Sequence, residues 1–458
     1  MAVSASALMQ SVASLTVVIS SSRKRRVALM VVSLGLLICV SVHITMASGS
    51  LLDKAEVKDM AAANTQFALD LVRKCAAGGM KGQNVFLGPY SITTALAMTY
   101  MGARGDTAEE MKSALKWSSP EAPTAGFGSY LPLLQEAASP ASKGYVLVGA
   151  QRIYVSRKMT LTGEFSKATQ QHFSSEAQTA DFVGQAEKER DNINSWVSGQ
   201  TRGKITDLLP SGSLDSMTAM VLVQALYFKG NWMHKFDARK TQPADFFAPN
   251  GKIRVSMMQQ ERNFNYGKFQ ELGCTAVELP YASNSDNSSS HDLSMLILLP
   301  DAKDGLGQLE EQLTAADLEK VRKNLHSVKV NLKLPKFSVE SSFALKDILI
   351  KLGMTLAFHN QKADFSGMVT GPDAELLYIS EVFHKAVVEV NEEGTEAAAA
   401  TGVVINLCCY IDGPQFTADH PFLFFIVDKR VDVILFCGRL TLPSAASESG
   451  QGQKKQEP

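Results

Sequence analysis

Cysteine is scarce in this sequence, with six in 458 residues, at positions 39, 75, 274, 408, 409 and 437. That excludes a fold held by a dense disulfide framework, so the structure must stand on its hydrophobic core. Signatures of catalysis are missing as well. No C-x-x-C pair suggests zinc, the histidines are too scattered for a zinc-protease helix, and no G-x-S-x-G elbow occurs. The stretch Gly199-Gln-Thr-Arg-Gly203-Lys204 faintly resembles a phosphate loop. It is one residue short between its glycines, and Ile205 stands where a hydroxyl would be needed for magnesium, so it reads as a helix end followed by a turn. No metal, cofactor or motif-bearing enzymatic activity is expected. Nor is there an excess of charge, with 45 Lys and Arg against 46 Asp and Glu, which removes nucleic acid as a main partner. No Pro/Gly/Ser-rich linker and no tandem repeat divides the chain.

What the sequence does contain is apolar material, 45% of all residues, enough for a large core. Helical spacing marks 55–76, 91–103, 105–117, 163–173 and 188–200. The second of these, after Pro89, starts at a Ser91 cap and is almost wholly apolar and small, so it reads as buried. The third reads as capped by Asp106 or Thr107. Strand-like runs occupy 145–155, 219–228, 292–300, 328–339, 386–390 and 431–440. Helices and strands come in mixed order without βαβ alternation, which predicts one α+β domain with mainly antiparallel sheets over 50–443.

Both ends read differently. Arg23-Lys24-Arg25-Arg26, an apolar run from Val27 to Ile44 and then Ala47-Ser48-Gly49 make residues 1–49 a secretory signal with an unusual N-terminal extension. An uncleaved signal-anchor is the rival reading, and Met30 is an alternative start. Cleavage would leave a mildly acidic, secreted, extracellular protein with no stable membrane association. Asn287-Ser288-Ser289, in a polar loop, is a glycosylation acceptor. Residues 444–458 read as a polar disordered tail.

Several stretches are similar to one family. NVFLGPYSI (84–92), INSWVSGQTRGKITDLLP (193–210), LVQALYFKGNW (222–232), ADFSGM (363–368), HKAVVEVNEEGTEAAAA (384–400) and DHPFLFFIVD (419–428) resemble the serpins, in family order over 55–443. The wording of the loop and of FTADHPFLFFI looks most like secreted arthropod, tick-like serpins. The resemblance implies three β-sheets, eight or nine helices and an exposed reactive-centre loop, placed at about 392–416. It also implies suicide inhibition of a serine protease. The loop is cut, the enzyme is trapped as an acyl intermediate, and the loop inserts as a strand into the central sheet.

The residues of NEEGTEAAAATGVVINLCC (391–409) suit both tasks. As a strand, one face carries Thr395, Ala397, Ala399, Thr401, Val403 and Ile405, with no charge. The other carries Glu396, Ala398, Ala400, Gly402, Val404 and Asn406. A one-residue slip would bury Glu396, at a cost of about several kcal/mol. Glu392 and Glu393 precede the hinge, and Gly394 permits the reversal that starts insertion. Inserting a dozen residues at roughly 1 kcal/mol net per ladder bond, with apolar burial, releases on the order of ten kcal/mol, comparable with a whole domain's stability. The uninserted form is then metastable and kinetically trapped. Read on its own, the alanine run is also a plain helix.

In the resemblance, counting from Glu392 puts the reactive bond at Cys408–Cys409, with Leu407 as the alternative register. No Lys or Arg occurs from Gly394 through Asp428, so a trypsin-like pocket has nothing to grip. The expected target is a protease with an apolar specificity pocket: chymotrypsin-, elastase- or cathepsin-like. The adjacent cysteines read either as bland exposed thiols or as a redox-sensitive pair able to link two monomers. Two positions depart from the family pattern at the gate of the central sheet, Gly88 for Ser and Gln224 for Asn, while Ser91 and His384 remain. The family uses this cluster to hydrogen-bond the strands shut. Trp232 matches the tryptophan at the top of the sheet. A non-inhibitory serpin acting as carrier, chaperone or storage protein is the alternative, disfavoured by the small residues of the hinge. Heparin control finds little support, since helix 105–117 offers only Lys112 and Lys116.

Overall fold

A computed structural model describes residues 55–78, 82–137, 144–282, 293–393 and 413–445. Residues 1–49, read above as a signal, Asn287, the expected loop residues Gly394 through Leu407 with Cys408 and Cys409, and residues 446–458, read above as a tail, lie outside the described residues.

The chain opens with helix α1 (Ala55–Ala77), strand β1 (Val85–Leu87) and helices α2 (Pro89–Tyr100), α3 (Gly105–Ala114) and α4 (Ala122–Ala137). Then come β2 (Tyr145–Ser156), β3 (Thr160–Leu161), α5 (Gly163–Phe173), β4 (Ala177–Ala180), α6 (Phe182–Gln200) and β5 (Met220–Gly230). Strands β6 (Gln242–Ala248), β7 (Gly251–Phe269), β8 (Cys274–Pro280) and β9 (Leu293–Pro300) lead to α7 (Leu306–Gln312) and α8 (Ala315–Lys323). The last third holds β10 (His326–Pro335), β11 (Phe337–Ala344), α9 (Lys346–Lys351), β12 (Val369–Thr370), β13 (Ile379–Val390), β14 (Gln415–Thr417), β15 (Phe422–Asp428) and β16 (Val433–Leu440).

The architecture is α+β, with three sheets and nine α-helices among the described residues. A nine-stranded sheet runs β1-β16-β15-β9-β8-β7-β10-β14, with β6 against β7. A five-stranded sheet runs β11-β13-β5-β2-β4, and β12 pairs with β3. Most ladders are antiparallel. The parallel ones are β2–β4, β10–β14 and β5–β13, the last running from Ile379↔Met220 to Val388↔Phe228.

Helix α6 covers one face of the five-stranded sheet. Phe182, Ile193 and Val197 pack there with Val221, Val223, Ala225 and Tyr227 of β5 and with Phe383 and Val387 of β13. By strand alternation the even-numbered residues of β5, including Gln224 and Leu226, face the opposite side. Stacked rings of Phe86, Phe424 and Phe436 fill the core, with Phe337 tilted against Phe424.

Several local expectations shift. All twelve residues of α2 are buried, as the small, uncharged and largely apolar run predicts, but the helix starts at Pro89 rather than at a Ser91 cap. Proline suits the first helical turn because its missing N–H would find no partner there. Helix α3 has no Asp106 or Thr107 cap; its N-cap is Arg104, and Thr107 accepts instead from the Asp364 N–H. Helix α6 begins at Phe182, earlier than its apolar spacing shows, because Asp181 caps it through the Gly184 N–H. The run 328–339 is two strands. At Lys336 the backbone N–H turns to Ser256 O, and the chain crosses from β10 in the large sheet to β11 beside β13. Ala445, expected in the polar tail, forms an antiparallel bridge with Val255. Gln415 and Phe416, expected in the loop, already belong to β14.

Candidate functional site

The functional question centres on β13, whose C-terminal end leads into Glu392 and Glu393, the first of the expected hinge residues. Trp232 Nε1 donates to Asn391 O at 2.8 Å. The indole is held by stacking on Tyr281, 4.7 Å between centroids, and by the edge-on ring of Phe236. One residue on, the Phe236 N–H donates to Glu392 O at 2.9 Å. The Glu392 carboxylate accepts from Thr241 Oγ1 at 2.8 Å and pairs with Lys336 Nζ at 2.9 Å. Burial alone would raise this carboxyl, but the Lys336 ammonium and the Thr241 hydroxyl outweigh it and hold the pKa below the ordinary range. Glu392 is therefore an anchor. Glu393 N–H caps back onto Asn391 Oδ1 at 3.2 Å.

Lys336, Thr241, Phe236 and Tyr281 were not legible as site residues. Lys336 sits inside what reads as one continuous strand, and only the crossing between sheets reveals that it faces Glu392.

Lower on the same strand, His384 is fully buried and stands opposite Gln224 of β5 and Phe343 of β11. The Gly88 N–H donates to His384 Nε2 at 3.0 Å, which assigns the ring proton to Nδ1. That Nδ1 has no partner. Burial pushes the imidazole pKa down to about 3, with no charged group contributing. Gln224 is also fully buried, and neither its Oε1 nor its Nε2 is partnered.

Gly88 explains part of this. A Cβ placed on it would lie 3.7 Å from Ser91 Cβ but only 2.5 Å from Leu226 Cδ1; one placed on Gly149 of β2 would lie 2.9 Å from Leu226 Cδ2. The leucine thus nests between two glycines and occupies the space that a serine at 88 would need. A cavity of about 560 Å³, lined in part by Ser91, Gly149, Leu226 and Phe436, opens behind it. Ser91, Gly88 and His384 are brought together, with Gln224 opposite the histidine, but the amide of Gln224 does not bond to the others. Nothing in the sequence singles out Leu226, because its role depends on glycines 138 and 77 residues away in the chain.

At Gly413 φ is +140°, and a Cβ there would lie 2.3 Å from Lys329 O, so only glycine fits. Strand β14 then runs parallel to β10. The two ends of the loop are thus fastened to different sheets. Among the described residues, Cys75, Cys274 and Cys437 are free and buried. Burial pushes the Cys75 and Cys274 thiols up to about 12 and Cys437 higher still, so none is a ready nucleophile. No group of three side chains that could hold a metal occurs among the described residues. No described helix is long and apolar enough to cross a membrane.

The arrangement has a clear mechanical property. A chain that leaves the top of β13 and doubles back between β13 and β5 runs antiparallel to both. It would replace one parallel ladder by two antiparallel ones, with more hydrogen bonds and the better pairing geometry.

Known proteins share this plan. The family model for "Serpin (serine protease inhibitor)" matches residues 62–443. Human leukocyte elastase inhibitor is 41% identical over 395 residues, covering 84% of this chain and 100% of that protein. Human plasminogen activator inhibitor 2 is 39% identical over 428 residues, with the same coverage. Among solved structures, uncleaved ovalbumin superposes with a TM-score of 0.73 at 29% identity, covering 84% of this chain and 100% of its own.

Proposed function

The chain belongs to the serpin family, and from that premise we propose that it is a secreted suicide inhibitor of serine proteases rather than a catalyst. The observation that carries this reading is the closed parallel pair β5–β13, continuous at its top with an anchored hinge. In this mechanism a protease attacks the loop near Cys408–Cys409, or one residue earlier at Leu407. The segment 394–407 then enters between β5 and β13 before the acyl-enzyme is hydrolysed. Gly394 through Thr401 form the part that moves first, and their small side chains suit a gap that opens as they arrive.

Two facts support an apolar-pocket target. No Lys or Arg lies between Gly394 and Asp428, and a relative at 41% identity carries the name of an elastase inhibitor. With Cys75, Cys274 and Cys437 buried, Cys408 and Cys409 are the thiols through which two monomers of the mature chain would link. The basic-apolar-small pattern of residues 1–49 supports secretion, and Asn287 is the proposed glycan acceptor.

The test is incubation of the purified protein with a panel of chymotrypsin-, elastase-, cathepsin- and trypsin-like proteases. Covalent complexes are read on denaturing gels, and the released C-terminal peptide is mapped by mass. The expected result is a stable complex with an apolar-pocket enzyme and a peptide beginning at Cys409. Cleavage with every enzyme and no complex would instead mark a non-inhibitory member of the family. Stable trypsin complexes of the wild type would overturn the pocket argument, and Cys408→Arg should create them. N-terminal sequencing of secreted protein tests removal of the leader.

A further inference from the structure

Buried polar atoms without partners are few in a folded protein, and each calls for a reason. Three of them meet at one register pair in the middle of the β5–β13 ladder: Oε1 and Nε2 of Gln224, and Nδ1 of His384. Both residues are fully buried. The surroundings offer no relief. Leu226 fills the space beside Gly88, the Gly88 N–H goes to the other ring nitrogen, and Gln151, the register partner of Gln224 on β2, turns its amide to Met98 Sδ at 3.1 Å. A shorter or apolar side chain would avoid the cost, so the orphaned amide is a feature of this chain rather than a requirement of the sheet.

We propose that Gln224 is a receiving group for the inserting strand. Its amide, with His384 opposite, stays desolvated and unpartnered while the sheet is closed, and finds partners when a strand arrives between β5 and β13. The inference rests on the inhibitory reading above and reverses the sign expected of this cluster from the family resemblance. There the polar groups lock the sheet. Here the closed sheet bears their desolvation and insertion removes it, while the packing of Leu226 holds the gate. Gln224 is a positioning residue, acting on the strand and not on the protease.

The full-length protein is compared with Gln224→Met, which keeps the shape of the side chain and removes both orphaned atoms, and with Gln224→Asn, which keeps an amide. The probe is a synthetic peptide with the sequence of residues 394–407, annealed to the intact protein and followed by the rise in thermal midpoint. If Gln224 receives the strand, the methionine variant anneals the peptide roughly tenfold more weakly. It also keeps its inhibitory competence longer on storage, and the asparagine variant lies between it and the wild type. A merely structural role would lower the stability of the closed form and speed annealing. That outcome, or peptide affinity equal to wild type, overturns the proposal. Weaker annealing in a protein that traps no protease would sustain the role of Gln224 while refuting the inhibitory function. Normal trapping with unchanged annealing would do the reverse.

Discussion

Strand β13 carries two polar clusters, and they are built on opposite principles. At its top, Glu392 is satisfied on every side: a cation, a hydroxyl, a backbone N–H on its carbonyl and an indole on the residue before it. Eight positions down, at the gate, His384 has one bond and Gln224 none. The top is held by electrostatics with every partner in place, and the gate by apolar packing around unsatisfied groups. On the proposed inhibitory mechanism this division serves a molecule that stays closed and then opens in one stroke. The clamp at Glu392 would fix where the inserting segment begins, and the gate would offer little resistance to a competing strand.

This contrast can be broken first at the top. Glu392→Ala leaves Lys336 and Thr241 without their partner. It should destabilise the closed form by about 3 kcal/mol, at the low end for a broken buried pair because Lys336 is partly exposed. Urea denaturation and native gels after mild heating would show it as a lower midpoint and faster polymer formation. A change under 1 kcal/mol would mean that the clamp is ornamental.

Acid tests the gate next. The His384 pKa is about 3 folded against about 6.5 unfolded, so between those values the unfolded state binds more protons and stability rises with pH. Lowering the pH from 7 to 5 should cost about 2 kcal/mol through this residue. The slope should shrink in His384→Gln, and identical pH profiles for the two proteins would exclude the histidine as its source.

A smaller effect is expected where the gate is packed. Gly88→Ser drives a Cβ to within 2.5 Å of the Leu226 methyl and should cost about 1–2 kcal/mol by overpacking. Leu226→Ala removes the clashing methyl at a packing cost of its own, so the double variant should lose less than the two single losses added, a coupling measurable by a double-mutant cycle. Restoring the family's serine and asparagine at positions 88 and 224 is therefore a three-residue problem. The smallest change belongs to the top again: Trp232→Phe loses the hydrogen bond to Asn391 O and about 1 kcal/mol, seen as a modest drop in denaturation midpoint.

Much of this was legible in the sequence where a pattern is local. Helix α5 lies at 163–173, where its spacing puts it, and the buried character of α2 follows from its small, uncharged and largely apolar run. The family-like motifs pointed to His384, Gly88, Gln224 and Trp232 as neighbours of the central sheet. Illegible were features created by long-range meetings. The Lys336–Glu392 pair needs the switch between sheets, and the seating of Leu226 needs two distant glycines. The orphaned amide of Gln224 needs knowledge of what does not reach it. The loop's two-faced alternation and its cut site rest on residues outside those described, so they stand as proposals for the protease panel.

The ends of the loop belong to different sheets, and this has a consequence for what a cut does to the molecule. The chain after the proposed scissile bond includes β15 and β16, whose residues are buried throughout and flanked by β9 and β1 in the large sheet. The C-terminal piece is the keel of the fold, not a tail hung from it. Severing the backbone therefore releases a constraint without releasing a fragment. The two pieces should migrate as one particle in native solution and part only when the core is denatured, so cohesion here depends on the sheet and not on the continuity of the chain.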